Sequence, residues 1–86
     1  MKEYLEILGH EVRDRVTGYT GIATTVGFDL YGCVQVIVTR PGLDEKGVRF
    51  PSEWFDHKRL FVTAAPLVME QPVFENVAGG YEKPLR

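Results

Sequence analysis

The sequence is poor in the features that mark catalytic, metal-binding or nucleic-acid-binding proteins. It has one cysteine, Cys33, in 86 residues. No disulfide can close within the chain, so the core holds without a staple, which fits a reducing cytoplasm. A basic excess is also missing: net charge is -2, whereas a general nucleic-acid binder draws most of its affinity from phosphate neutralisation. No run approaches the roughly 20 apolar residues of a membrane-spanning helix. The opening stretch Met1 to Leu8 carries Glu3 and Glu6 where a signal peptide has a long apolar run. The expectation is a soluble, cytoplasmic protein. Ligand spacings such as C-x-x-C or H-x-x-x-H do not occur, so His10, His57 and Cys33 are not read as metal ligands. There is no P-loop glycine pattern either. No cofactor and no catalytic residue is expected.

What is present is globular. Hydrophobic residues make up 44% and aromatic ones 12%, richer than a disordered chain. The length suits one domain with one core. Alternation then gives the elements. Residues 1–9 read as a helical turn or a short lead-in strand ending at Gly9. Glu11 to Val16 alternate, with Val12, Asp14 and Val16 on one face. The stretch Thr17-Gly18-Tyr19-Thr20-Gly21 reads as a turn, its glycines supplying positive φ. Ile22, Thr24, Val26 and Phe28 then share a face of a second strand. After a turn at Asp29–Gly32, the run Cys33 to Thr39 is the most strand-like of all. It is uncharged and β-branched, with Val34, Val36 and Val38 on one side.

Arg40 to Gly47 is a loop, since proline, glycine and charges do not belong in a sheet interior. Val48-Arg49-Phe50 reads as a resumed strand, Asp56–Arg59 as a tight turn and Leu60–Thr63 as the last strand. About five strands at spacings of roughly ten residues imply an all-β domain. Residues 1–65 are expected to form a small five-stranded SH3-like barrel. Residues 66–86 are expected to be an extended, proline-containing C-terminal arm. Its Leu67, Val68, Met69, Val73, Phe74 and Tyr81 are more apolar than a free tail should be, so it lies either on its own barrel or on a neighbour.

Three resemblances attach to these residues. Val12, Val16, Gly18, Gly21 and Ile22 resemble the KOW motif of ribosomal and transcription factors, which implies a nucleic-acid-binding domain. The motif's basic residue and further glycine are replaced here by Thr20 and Ala23. Over residues 9–62, and in the closing Glu82 to Arg86, the chain is similar to a group of small proteins encoded by bacteriophages and mobile elements. That resemblance implies a genetic context and carries no activity. Val34-Gln35-Val36-Ile37 also resembles the start of the Val-Gln-Ile-Tyr signature of the plasmid-borne type II dihydrofolate reductase, a tetrameric pore enzyme. It lies on an earlier strand here and lacks the tyrosine.

Individual side chains are weighed accordingly. Trp54 or Phe55 is expected to plug the core while the other stays partly exposed. Asp56 should cap the turn after it. Asp14, on an inward face, must accept bonds from turn backbone or a nearby arginine. Cys33 paired with His57 would make a nucleophile and base, but Cys33 reads as a small apolar residue. An aromatic and basic face of Tyr19, Phe28, Tyr31, Arg15, Arg40 and Arg49 is interrupted by acids. The resulting expectation is a non-enzymatic binding or assembly module. It would self-associate as a homo-oligomer, or bind another protein, through sheet edges and the apolar tail. The contact residues expected are Tyr19, Tyr31, Trp54, Phe55, Met69 and Phe74. A KOW-like nucleic-acid binder is the alternative, and a pore-type enzyme the second. No membrane partner is expected.

Overall fold

A computed structural model describes residues 2–72 of the chain. A helical turn, α1 (Lys2–Leu5), leads into β1 (Glu11–Asp14), β2 (Thr20–Phe28), β3 (Val34–Thr39) and β4 (Glu53–Asp56). A 3-10 turn over His57–Arg59 separates β4 from β5 (Leu60–Ala64). The five strands make one antiparallel sheet in the order β4-β3-β2-β1-β5. The described chain is therefore mostly β, with β5 returning beside β1, and with β4 and β5 at the two edges of the sheet among the described residues.

The core is small: Ile7, Val12, Ala23, Val36, Val38, Phe55 and Leu60 are buried, with Tyr19 and Val26 packed against them. β3 shows why it forms. Val36 and Val38 are wholly buried while Gln35 is exposed, the alternation its sequence displays. β2 departs from the simple alternation. Ala23 pairs with Val38 and Thr25 with Ile37, leaving Thr24 as an extra residue in a bulge. The bulge resets the phase, so that Ala23 and Val26, three apart, both meet the core. The expected face of Ile22, Thr24, Val26 and Phe28 is corrected accordingly. The Thr24 hydroxyl sits 2.9 Å from the Thr39 hydroxyl, tying the bulge to β3.

Two further expectations change. β1 ends at Asp14, and Val16 is exposed in the turn that follows. Gly18, at φ +80°, is the glycine that this turn needs. Gly21 lies inside β2, paired with Val12. A Cβ there would come within 2.7 Å of the Thr39 carbonyl oxygen and 2.8 Å of Val38 Cγ1. Its role is close approach of two strands rather than reversal.

Val48-Arg49-Phe50 does not resume a strand. It contributes one bridge, Arg49 to Leu43, across a turn closed by Asp44. The Asp44 Oδ1 accepts the backbone N–H groups of Lys46 and Val48 at 2.8 and 2.9 Å. The fourth strand is instead Glu-Trp-Phe-Asp, directly before the expected tight turn. Asp56 caps that turn by accepting the Lys58 N–H at 2.9 Å.

The start of the tail lies on its own chain. Val68 N–H donates to the Gly9 carbonyl at 2.8 Å. The Gln71 amide donates to the carbonyls of Glu6 and Leu8 at 3.0 and 2.7 Å. Gly9 is required at that crossing: its φ is +84°, and a Cβ would stand 2.7 Å from the Met69 carbonyl oxygen.

Candidate binding surface

Asp14 is the one buried charged or polar residue among those described. β1 carries it inward beside Val12, and it is fully partnered there. Arg59, at the end of the 3-10 turn, donates Nε to Oδ1 at 2.7 Å and Nη2 to Oδ2 at 2.6 Å. Thr17 adds its backbone N–H and its hydroxyl. The bonds from Arg59 hold the carboxyl well below the usual range, against the opposing cost of burial. A carboxylate so clamped is a structural tie between β1, the turn after it and the 3-10 turn before β5.

Three surfaces among the described residues are candidates for binding. The first is the outer edge of β5, Leu-Phe-Val-Thr-Ala, which bears no charge and no proline. Val62 pairs with Val12, which is wholly buried, yet Val62 is 44% exposed. The inward face is thus open at Val62, while Leu60 on the same strand is buried in the core. Phe61, on the other face, is partly covered by the Arg15 guanidinium, 4.9 Å from the ring centre.

The second is a groove of about 640 Å³ where the tail crosses α1 and the β2 bulge. Leu5, Leu8, Ile22, Val26, Val68 and Met69 give it an apolar lining.

The third is a cup of about 370 Å³ on the outward face of the sheet, between Trp54 and the β2–β3 turn. Phe28, Asp29, Cys33 and Gln35 form its other walls. Asp29 shapes the turn by accepting the N–H groups of Tyr31 and Cys33 on one oxygen, both at 2.9 Å. The Asp29 carboxylate, more than partial burial, pushes the Cys33 thiol up, opposite to what a nucleophile needs. His57 is stacked edge-on against Tyr4 at 4.9 Å.

The residues expected as contacts are spread over these places. Trp54, 55% exposed, and Tyr31 stand at the cup and its turn, and Met69 lines the groove. Phe55 is buried in the core and is covered by Arg59 at 5.3 Å. Tyr19 packs on Phe55 and donates its hydroxyl to the Pro51 carbonyl at 2.9 Å. Phe74, Val73 and Tyr81 lie outside the described residues. Sequence reasoning passed over Phe61 and Val62. The signal was there: a final strand with neither charge nor proline to blunt its edge.

Among the described residues no three His, Cys, Asp or Glu side chains are grouped to hold a metal ion. No helix among them is long and apolar enough to cross a membrane. Comparison with protein-family models, with curated proteins and with solved structures finds no match.

Proposed function

We propose that the protein is a non-enzymatic assembly module that joins copies of itself through the open edge of β5. The observation that carries this reading is the Val12–Val62 pair, one side chain wholly buried and its partner 44% exposed. Sheet edges in free proteins are usually blunted by lysine, proline or β-bulges. The edge of β5 has neither lysine nor proline, and its one irregularity, Thr63, lies at the end beyond Val62. A strand from a second copy would pair along Leu60 to Val62 and cover Val62. The return of β5 beside β1, with a 3-10 turn between β4 and β5, supports the expected SH3-like barrel as the unit that assembles.

The test is solution mass by light scattering on the full chain, on Val62→Lys and on a chain ending at Pro72. The expected result is a defined oligomer for the full chain and a folded monomer for Val62→Lys. The chain ending at Pro72 keeps the oligomer if the edge alone suffices and loses it if residues 73–86 share the work. A monomeric full chain, or an oligomer that survives Val62→Lys, overturns the edge as the joint.

A further inference from the structure

The cup beside Trp54 lies away from the β5 edge and has its own chemistry. Gly27, Gln35 and Asp56 are register partners across β2, β3 and β4, so they share one face. Gln35 stands two residues from Ile37, the partner of the exposed Trp54, and the wholly buried Val36 between them points the other way, which makes that face the solvent side. Trp54 uses the bare Cα of Gly27. Its indole reaches across β3 until a Cβ on Gly27 would stand 3.5 Å from the ring. The indole is supported by the sheet and is still 55% exposed.

Around it stand one carboxylate, Asp29, and one amide, Gln35, with Phe28 and Cys33 completing the walls. Asp29 uses Oδ1 for the turn, and its carboxylate also neighbours the Cys33 thiol. Gln35 keeps both ends of its amide free of hydrogen bonds among the described residues. The Asp29 carboxylate pushes the Cys33 thiol up, with burial, a hydrogen bond to Asp29 and the Asp56 carboxylate acting the same way and Lys58 opposing them. An open indole, a carboxylate and an amide oxygen suit a flat cation. A guanidinium stacks on an aromatic face and directs its edge N–H groups at carboxylate and carbonyl oxygens. An ammonium has the charge without the plane, and a phosphate has the wrong sign.

We infer that the cup formed by Trp54, Gln35 and Asp29 binds an arginine side chain presented by a partner protein. The indole supplies the stacking surface, the Asp29 carboxylate the counter-charge and Gln35 a hydrogen-bond acceptor.

Trp54 is the sole tryptophan, so its fluorescence reports on this site alone. Titration with acetyl-arginine amide is expected to give a saturable change that weakens as salt is added. Acetyl-lysine amide should respond less, and a neutral methyl glycoside or a nucleoside not at all. Asp29→Asn retains Oδ1 for the Tyr31 and Cys33 N–H groups and removes the charge, and it should abolish saturation. Gln35→Ala, at a side chain with no structural bond, should weaken binding without changing the far-UV spectrum. Absence of a saturable change overturns the inference. So does an equal response to the glycoside or nucleoside, or undiminished binding in both variants. The readout is of one chain and a small ligand, so it stands or falls separately from assembly through β5.

Discussion

Arg59 grips Asp14 with two parallel bonds, Nε to Oδ1 at 2.7 Å and Nη2 to Oδ2 at 2.6 Å, across 45 residues of chain. The two residues come from opposite ends of the sheet's sequence, and β1 pairs with β5 where they meet. Because the carboxyl is held below its ordinary range, its folded value lies under an unfolded value of about 3.9. The sign follows: the pair's contribution is fully present above about pH 4 and is lost as pH falls toward the folded value. Denaturant midpoints measured from neutral to strongly acidic pH should therefore drop below pH 4. Asp14→Asn should be less stable at neutral pH and show a flatter acid limb. An unchanged acid limb in that variant would remove the pair from the account.

Removing one partner should do more harm than removing both. Arg59→Met leaves a carboxylate with no counter-charge in a buried place, whereas Asp14→Leu with Arg59→Met replaces the pair by apolar surface. Chemical denaturation should rank Arg59→Met below the double variant. The reverse order would mean that Thr17 alone satisfies Asp14.

The glycines of β2 give opposite expectations. Gly21→Ala puts a Cβ 2.7 Å from a backbone oxygen, so β2 and β3 must part, at about 1–3 kcal/mol. Gly27→Ala meets only the indole edge at an ordinary contact distance of 3.5 Å. It should stabilise the strand by about 0.5 kcal/mol through the unfolded chain. Unfolding curves of the two variants side by side check both. Equal effects would mean that Gly21 is no closer to β3 than Gly27 is to Trp54.

Much of this fold was legible from alternation, and the exceptions have physical causes. Val36 and Val38 announce a buried face because every second residue is β-branched and apolar. The Asp56 cap and the need of Asp14 for turn backbone or an arginine follow from the chemistry of single side chains. Gly21 did not read correctly, because a glycine for close approach and a glycine for positive φ look alike in one dimension. The bulge at Thr24 was hidden for a similar reason: it is defined by what β3 places opposite it. Val48-Arg49-Phe50 has strand composition, yet Asp44 bends the loop so that only Arg49 bridges. Of the surfaces, Trp54 stood out as an aromatic among acids. The cup needed the register that sets Gly27, Gln35 and Asp56 in one row.

Neighbours on β4 should differ sharply in their cost. Phe55 is buried between Arg59 and Tyr19, and Phe55→Ala should cost about 3–5 kcal/mol. That is a large part of the total for a domain this small. Trp54→Ala removes a half-exposed ring from the sheet surface and should cost about 1 kcal/mol. Circular dichroism must follow both, since the second variant has no tryptophan. A loss at Trp54 as large as at Phe55 would make the indole a core residue and weaken its reading as a platform.

Tyr19 was the most conspicuous residue of the first turn, an aromatic just after Gly18. Its ring lies 5.3 Å from that of Phe55, and its hydroxyl reaches Pro51, 32 residues on. It thus ties the long loop after β3 to the start of β2. Tyr19→Phe keeps the ring packing and deletes that one bond, for about 0.5–1 kcal/mol. The larger effect should be local, because a loop released from its anchor opens more often than the sheet does. Amide exchange across residues 48–52 should speed up while exchange in β3 stays as it was. Faster exchange in β3 as well would make the hydroxyl part of the global fold, and no change in the loop would leave Tyr19 free to serve a partner.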